Sequence, residues 1–528
     1  MMSTTLHLLR LARAGFVMAR EGVFAVVDPA GMPPGPRTML RLARLMERRN
    51  AGASGTRLAR ALTRLGPTYV KLGQFLATRP DVVGTALARD LEQLQDRMPP
   101  FPQAEAERII ANAFDKPLPA VFSSFSAPVA AASIAQVHKA TVADVAEPAP
   151  VSRAVAVKVL RPNVERQLRG DLAAFFFAAR AAERRSPEAQ RLRLVEVVDT
   201  LARSVTMEMD LRLEAAALSE MAENIGEDRD FRVPTVDWAR TSRDVLTLEW
   251  IDGVPLNDRA RLEAQGFVLP ELARIVIQSF LRHALRDGYF HADMHPGNLF
   301  IDDLGRLVAV DFGIMGRLGI KERRFLAEIL YGFITRDYRR VAEVHFEAGY
   351  VPAHHSVDAF AQAIRAIGEP IHNRRADEIS MAKLLTLLFE ITALFDMRTR
   401  PELILLQKTM VVVEGVARAL DPQLDMWKVA DPVVREWITR HLGPIGQIEN
   451  AGRSLSELAR FAGQAPALLH RGAALMERLD AQTRNGLVLD PQTAEAIGRA
   501  EGRGNRAVAF GVWAIAALLA AILVVLLT

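Results

Sequence analysis

The stretch from Phe290 to Gly313, FHADMHPGNLFIDDLGRLVAVDFG, constrains this chain more than any other. It holds four aspartates, an asparagine and two histidines in one short segment. Its second half reads as a hairpin: strand NLFI, a turn at DDLGR, strand LVAV, then DFG. His291, Asp293 and His295 alternate, so on a strand they would share one face. A two-histidine, one-carboxylate set suits non-haem iron. Pro296 and Gly297 follow at once, however, which favours a loop. A polar turn in an ordinary core is the plain alternative. On that view His291 hydrogen-bonds backbone behind the loop, His295 is structural, and Asp302 and Asp303 are solvated turn residues.

A phosphate-transfer reading explains more of the stretch. Asp293 and Asn298 stand in the D-x-x-x-x-N spacing of a kinase catalytic loop, and the hairpin leads to Asp311-Phe312-Gly313. Asp293 would orient or deprotonate the attacking oxygen. Asn298 and Asp311 would hold Mg²⁺, which prefers hard oxygen ligands. DFG alone is a weak signal; the two motifs joined by one hairpin are a strong one. Such a site needs an upstream strand lysine, and AVAVKVLRP supplies Lys158 in apolar alternation. A helix carboxylate must hold that lysine. TMEMDLRLEAAALSE offers Glu208, Asp210 and Glu214, and spacing does not choose between Glu208 and Glu214. Glu223 reads as part of a solvated face. Backbone groups along Glu249-Trp250-Ile251 would read adenine.

The composition narrows the class. A chain of 528 residues exceeds one compact core, so several domains are expected. There are no cysteines, which removes disulfides, thiolate catalysis and Cys-ligated metal centres. A net charge of +4, with no basic block interleaved with aromatics, argues against nucleic acid as a partner. The run AVAFGVWAIAALLAAILVVLLT, residues 507–528, carries no charge and is long enough to span a membrane. Arg503 and Arg506 precede it, which puts the bulk of the chain on the cytoplasmic side. The N-terminal segment has arginines at 10, 13 and 20 and reads as an amphipathic basic helix. It lies either on a membrane surface or docked on the protein.

The pattern along the chain predicts an α+β protein of two lobes with a cleft between them. Residues 1–102 form a helical extension, 103–250 an N-lobe with a helical insertion, and 251–442 a C-lobe. Residues 443–506 are a helical connector and 507–528 a transmembrane anchor. Three strand runs are expected after the first helices: AVFSSFSAPVA, QVHKATVADV and AVAVKVL, with EPAPVSR a loop before the last. FRVPTVDWA and VLTLEWI are expected to pair with each other.

Three features depart from an ordinary kinase. The phosphate loop is APVAAASIAQVHKA, with Ala130, Ala131 and Ala132 where glycines would stand. Their methyl groups restrict φ and hold amides away from phosphate oxygens. Ser133 could equally be the N-cap of a helix. After DFG the sequence runs straight into an amphipathic helix with no long activation segment, which argues against peptide substrates. Finally, YVKLGQFLATRPD places Lys71, Gly73 and Gln74 in an otherwise apolar helix.

Together KLGQ, AAASIAQVH, AVKVLRP, EMD, HADMHPGN and VDFG, in that order, resemble the UbiB/ADCK atypical kinase-like family, in its bacterial UbiB branch. The family more often has Pro at the position of Met294, a change expected at the loop surface. It often has two C-terminal spans where one apolar run is clear here. The resemblance implies a protein-kinase-like fold with the extension laid over the cleft, where a peptide would bind. It implies that Lys71 and Gln74, with Gly73 in the same motif, reach the active site, that Lys71 joins Asp293 and Lys158 there, and that Glu208 and Asp210 pair with the extension. It implies ATP or ADP with Mg²⁺, bound by the loop Ala130, Ala131, Ala132, Ser133, Ile134, Ala135, Gln136 and Val137, by Lys158, and by Glu249 and Ile251. It further implies a role in ubiquinone synthesis at the cell inner membrane, with prenylated quinone precursors, lipid and the biosynthetic enzymes as partners; homodimerisation stays open. A small-molecule phosphotransferase of the aminoglycoside-kinase type and a non-catalytic nucleotide-gated scaffold or lipid chaperone are the alternatives.

Overall fold

Apolar residues alternating with Lys158 require a strand with one dry face. In the computed structural model they lie on β3 (Val151–Leu160), in an antiparallel sheet ordered β1 (Ser124–Ala131), β2 (Ala135–Asp144), β3, β5 (Val245–Glu249). The structure describes residues 4–26, 34–48, 54–77, 98–144, 151–185, 187–371 and 401–442, with 83, 87, 90, 91, 94, 391 and 394–397. The β2–β3 ladder runs unbroken from Ala135↔Leu160 to Asp144↔Val151. Val151, Ser152 and Arg153 are therefore strand, not the loop that EPAPVSR suggests, because each finds a partner on β2.

Val155, Val157 and Val159 are wholly buried with Ala140, Val142 and Val245 against Ile110 and Ala106 of the helix Gln103–Phe114. Burying each valine contributes roughly 1.5–3 kcal/mol. The chain then forms helices Val164–Glu183, Leu194–Glu208 and Leu211–Asn224 before returning as β5.

A second sheet carries the hairpin that links Asn298 to Asp311. Its order is β4 (Phe231–Arg232), β9 (Leu307–Ala309), β8 (Leu299–Ile301), β6 (Val254–Pro255). The expected pairing of FRVPTVDWA with VLTLEWI is thus replaced. Phe231 and Arg232 run parallel to β9, and only Val236 bridges Leu248. Pro234 lacks the N–H a continuous ladder would need. A third pair joins β7 (Tyr289–His291) to β10 (Met315–Arg317). Helices Leu269–Arg282, Ile320–Thr335, Tyr338–Glu347, Val357–Ile371 and Pro401–Leu420 also belong to this region.

The N-terminal helices are α1 (Thr4–Arg20), α2 (Pro34–Leu45), α3 (Ser54–Leu65) and α4 (Pro67–Ala77). Of the two readings of the basic N-terminal segment, the docked one describes one face of α1. Leu11 packs on Ala174 and Ala178, and Arg10 pairs with Asp171, which also accepts from Thr68 Oγ1 at 2.8 Å. Leu9 and Phe16 on its other face stay exposed.

The chain divides into two compact units, one through Ala430 and one starting at Asp431. The described part of the second is the end of the helix Met426–Leu442. Among the described residues no helix is long and apolar enough to cross a membrane. The connector 443–506 and the anchor expected over 507–528 lie outside the described residues.

Candidate active site

Side chains alternate across β3, so Lys158 points away from the valine core. Glu214 settles the choice that spacing left open. Lys158 Nζ donates to Glu214 Oε1 and Oε2 at 2.8 and 2.9 Å, and to Asp311 Oδ1 at 3.1 Å. Burial alone would lower the lysine pKa, but the Asp311 and Glu214 carboxylates outweigh it and hold it above the ordinary value. Burial pushes the Glu214 carboxyl up, against the pull of Lys158. Lys158 brings Asp311 down to about 2, so Asp311 is ionised at neutral pH. Its side chain is 49% exposed, and its backbone takes φ 65°, the left-handed region that non-glycine residues seldom occupy.

The loop around Asp293 is built from backbone contacts to His291. This buried ring accepts from Asp293 N through Nδ1 at 3.0 Å, which leaves Nε2–H to donate to Val310 O at 3.2 Å. Burial holds its pKa below the usual histidine range. Both nitrogens are occupied, so the iron reading of His291, Asp293 and His295 fails. His295 Nδ1 accepts from Gly297 N within its own turn. Asn298 Nδ2 donates to Asp293 O and Oδ2 at 3.1 and 3.2 Å, fixing that carboxylate. Its Oδ1 accepts no hydrogen bond among the described residues. The His291 and Phe312 rings meet edge to face with centroids 4.9 Å apart, which ties the loop to DFG.

Two expectations about this loop need correcting. Met294 is buried, 1% exposed, so the departure from Pro lies in the core and not at the surface. Asp302 is not a solvated turn residue. It is 2% exposed, pairs with Arg232 and Arg306, and accepts from the amides of Leu304 and Arg306. Asp303 beside it is exposed.

The extension enters through α4. Lys71 Nζ lies 2.6 Å from Glu208 Oε2, with both side chains largely buried, and its charge helps to depress Asp311. Asp210 does not join that pair. It caps the helix Leu211–Asn224 by accepting from Arg212 N, and it binds the Arg212 guanidinium. Gly73 is a packing residue: a Cβ there would come within 2.7 Å of Leu62 and Leu94. Gln74 lies part-exposed on α4.

The register sorts the expected nucleotide contacts. Val137, Lys158 and Leu246 are cross-strand partners and share a face, as do Ala135 and Leu160. Gln136 falls on the opposite face. It is buried, accepts from Phe101 N at 2.9 Å and contacts His138 Nε2, so its side chain serves the core. Ala132–Ile134 form a hairpin turn closed by Ala132 N on Ala135 O, so Ser133 caps no helix. Ser133 and Ile134 are buried, while Ala130 is exposed and Ala131 and Ala132 partly so. Along Glu249–Ile251, Glu249 N donates to Thr235 O, Trp250 N to Ala154 O, and the Glu249 carboxylate pairs with Arg232. Ile251 N finds no acceptor among the described residues.

Two further residues belong with the site. Ala156 is the cross-strand partner of Lys139 and Leu248 on the Lys158 face; the two-residue period was the signal for it. Thr409, on the helix Pro401–Leu420, donates to Ala292 O at 3.1 Å, next to Asp293. No sequence pattern links those two positions.

Residues 93–345 match the ABC1 atypical kinase-like domain and residues 364–425 the UbiB helical domain. A "Probable protein kinase UbiB" of Marinobacter nauticus is 40% identical over 421 residues, covering 79% of this chain and 76% of its own. Proteins of that name from Xanthomonas euvesicatoria and Xylella fastidiosa are 38% and 36% identical over 475 and 502 residues. Those alignments cover 88% and 93% of this chain and 84% and 89% of theirs. A solved complex of Rv3197 with erythromycin from Mycobacterium tuberculosis is 25% identical, with a TM-score of 0.46, covering 70% of this chain and 93% of that one.

Proposed function

Since this chain belongs to the UbiB family of ABC1 atypical kinase-like proteins, we propose that it is an ATP-dependent atypical kinase or ATPase of ubiquinone synthesis. It acts at the membrane on prenylated quinone precursors or on the enzymes that modify them. The observation that carries this reading is the buried Lys158 ammonium held between Glu214 and Asp311. A buried ion pair is a weak source of stability, so a doubly paired lysine points to use.

In this reading Lys158 binds the α- and β-phosphate oxygens and Glu214 holds it in place. Asp293, fixed by Asn298, orients the attacking hydroxyl or water and takes its proton. The donors present fit a hard cation: Asp311 is ionised and half exposed, and Asn298 has spent its amide hydrogens on Asp293, leaving Oδ1. Mg²⁺ bound there supplies charge neutralisation for the phosphates. The Glu249 carbonyl and Ile251 amide meet the adenine edge. Ala135, Val137 and Ala156 give the purine an apolar face, and the alanine turn limits how closely amides approach the phosphates.

The Lys71–Glu208 contact supports a second part of the reading. An extension helix paired so close to Asp311 takes the room a peptide would need. The acceptor is then water or a lipid-like phenol. The uncharged run 507–528 would hold the site at the cytoplasmic face of the inner membrane.

The test follows γ-labelled phosphate from Mg-ATP, with full-length protein, liposomes and a phenolic quinone precursor. Free phosphate that rises with liposomes and is lost in Asp311→Asn supports a membrane-coupled ATPase. Label on the phenol or lipid identifies a kinase and its acceptor. Nucleotide binding without turnover in either protein overturns catalysis in favour of a scaffold.

A further inference from the structure

Away from the nucleotide site, His354 and His355 form a dipeptide just before the helix Val357–Ile371. Asp396 lies in the turn after Phe395. His355 Nε2 is 3.2 Å from Asp396 Oδ2, and His354 Nε2 is 3.7 Å from the same oxygen. One ligand atom from each of the three residues lies within 4.8 Å of the others. We propose that these three side chains bind one divalent transition-metal ion of the zinc class, as a clip between the two turns.

The spacing suits such an ion. Zinc with nitrogen and oxygen ligands at about 2.0–2.1 Å in a tetrahedron has ligand atoms about 3.3 Å apart. The two measured separations bracket that value, so small side-chain rotations bring the set to bonding distance. The ligand types also select the metal: two imidazoles and one carboxylate suit zinc, cobalt or nickel, whereas Mg²⁺ and Ca²⁺ prefer all-oxygen sets. With no cysteine in the chain, nitrogen and oxygen are the ligands available.

The site has a formed floor. The His355 ring is 5.3 Å from that of Phe395, which is buried against Phe360 at 4.9 Å, and Phe360 in turn meets His345. That aromatic layer fixes the direction of His355, whose side chain is only 19% exposed. Asp396 has φ 48°, a left-handed conformation that aims its carboxylate at a cost. A simple hydrogen bond from His355 would need neither the second imidazole, 4.1 Å away centroid to centroid, nor that backbone. With three protein ligands, water completes the shell. The clip joins turns separated by 41 residues in sequence.

The experiment uses tag-free, full-length protein stripped with EDTA and dialysed, then titrated with zinc chloride by calorimetry, with thermal melting in parallel. One equivalent bound and a raised melting temperature are expected in the parent. His354→Ala, His355→Ala and Asp396→Asn should each weaken binding by at least about tenfold. Affinity should fall with acidity, because imidazoles ligate only when neutral. Asp311→Asn should keep the zinc site, which separates it from any metal held with nucleotide. Magnesium chloride should not raise the melting temperature of nucleotide-free protein. No zinc bound by the parent, or equal binding by all three ligand variants, overturns the proposal.

Discussion

At the scale of single residues, Glu208 and Glu214 have separate partners: Glu214 on Lys158 and Glu208 on Lys71. Truncating each should therefore give different results. Glu214→Ala leaves Lys158 with Asp311 alone and free to swing, and should lower ATP turnover about hundredfold, the cost of misplacing a group by an ångström. Glu208→Ala removes the contact with Lys71 but leaves the Lys158 pair intact, so nucleotide affinity should stay near that of the parent. Fluorescent-nucleotide binding and phosphate release measure the two effects; equal losses in both would show the pairs act as one unit. The motif residues Asp293, Asn298, Asp311 and Lys158 were legible because their spacing is tied to local backbone geometry. Asp210 was misjudged because an acid at a helix start satisfies amides as readily as it meets a distant lysine. Asp302 was misjudged because Arg232, one of its partners, lies 70 residues away in sequence.

Whole elements were legible where one period repeats. β3 alternates its buried valines with the Lys158 face, and the amphipathic helix after DFG follows a 3.6-residue period. The Phe231–Arg232 strand was misassigned because its partner is fixed by the second sheet and not by its own composition. The contact of β7 with β10 had no visible signal, since it depends on a glycine. Gly316 lies opposite Phe290, and a Cβ there would fall 2.1 Å from the ring. Gly316→Ala should therefore cost about 1–3 kcal/mol through overpacking. A urea titration measures the loss as a lower midpoint, and an unchanged midpoint would mean that β10 shifts freely. Because β10 follows DFG directly, the same variant should weaken nucleotide binding as well.

For the molecule as a whole, buried histidines set the response to acid. Burial lowers the pKa of His138, His283, His291 and His345 below the ordinary 6.5. The unfolded chain therefore takes up protons that the folded chain refuses. Their contribution to stability is fully present above about pH 7 and is lost as pH falls through 6.5 toward the folded values. Asp311, at about 2, acts in a separate window: its contribution is present above the ordinary carboxylate value and is lost only as pH falls toward 2. Denaturant midpoints should thus drop between pH 7.5 and 5.5, and a flat profile would refute neutral burial of these rings. The kinase-like fold was readable from the order of motifs. The docking of Thr409 on the carbonyl of Ala292 was not, because 117 residues separate them.

Strand β3 carries the fold's dry core on one side and its reactive lysine on the other. Evolution can trade one valine for another there, but it can add or remove residues between Val155 and Leu160 only in pairs. A single insertion inverts parity, sending the ammonium into the core and a valine into the cleft. Lineages descended from this chain should therefore vary freely in length before Val151, where EPAP stands, and change length from there to the lysine only in even steps.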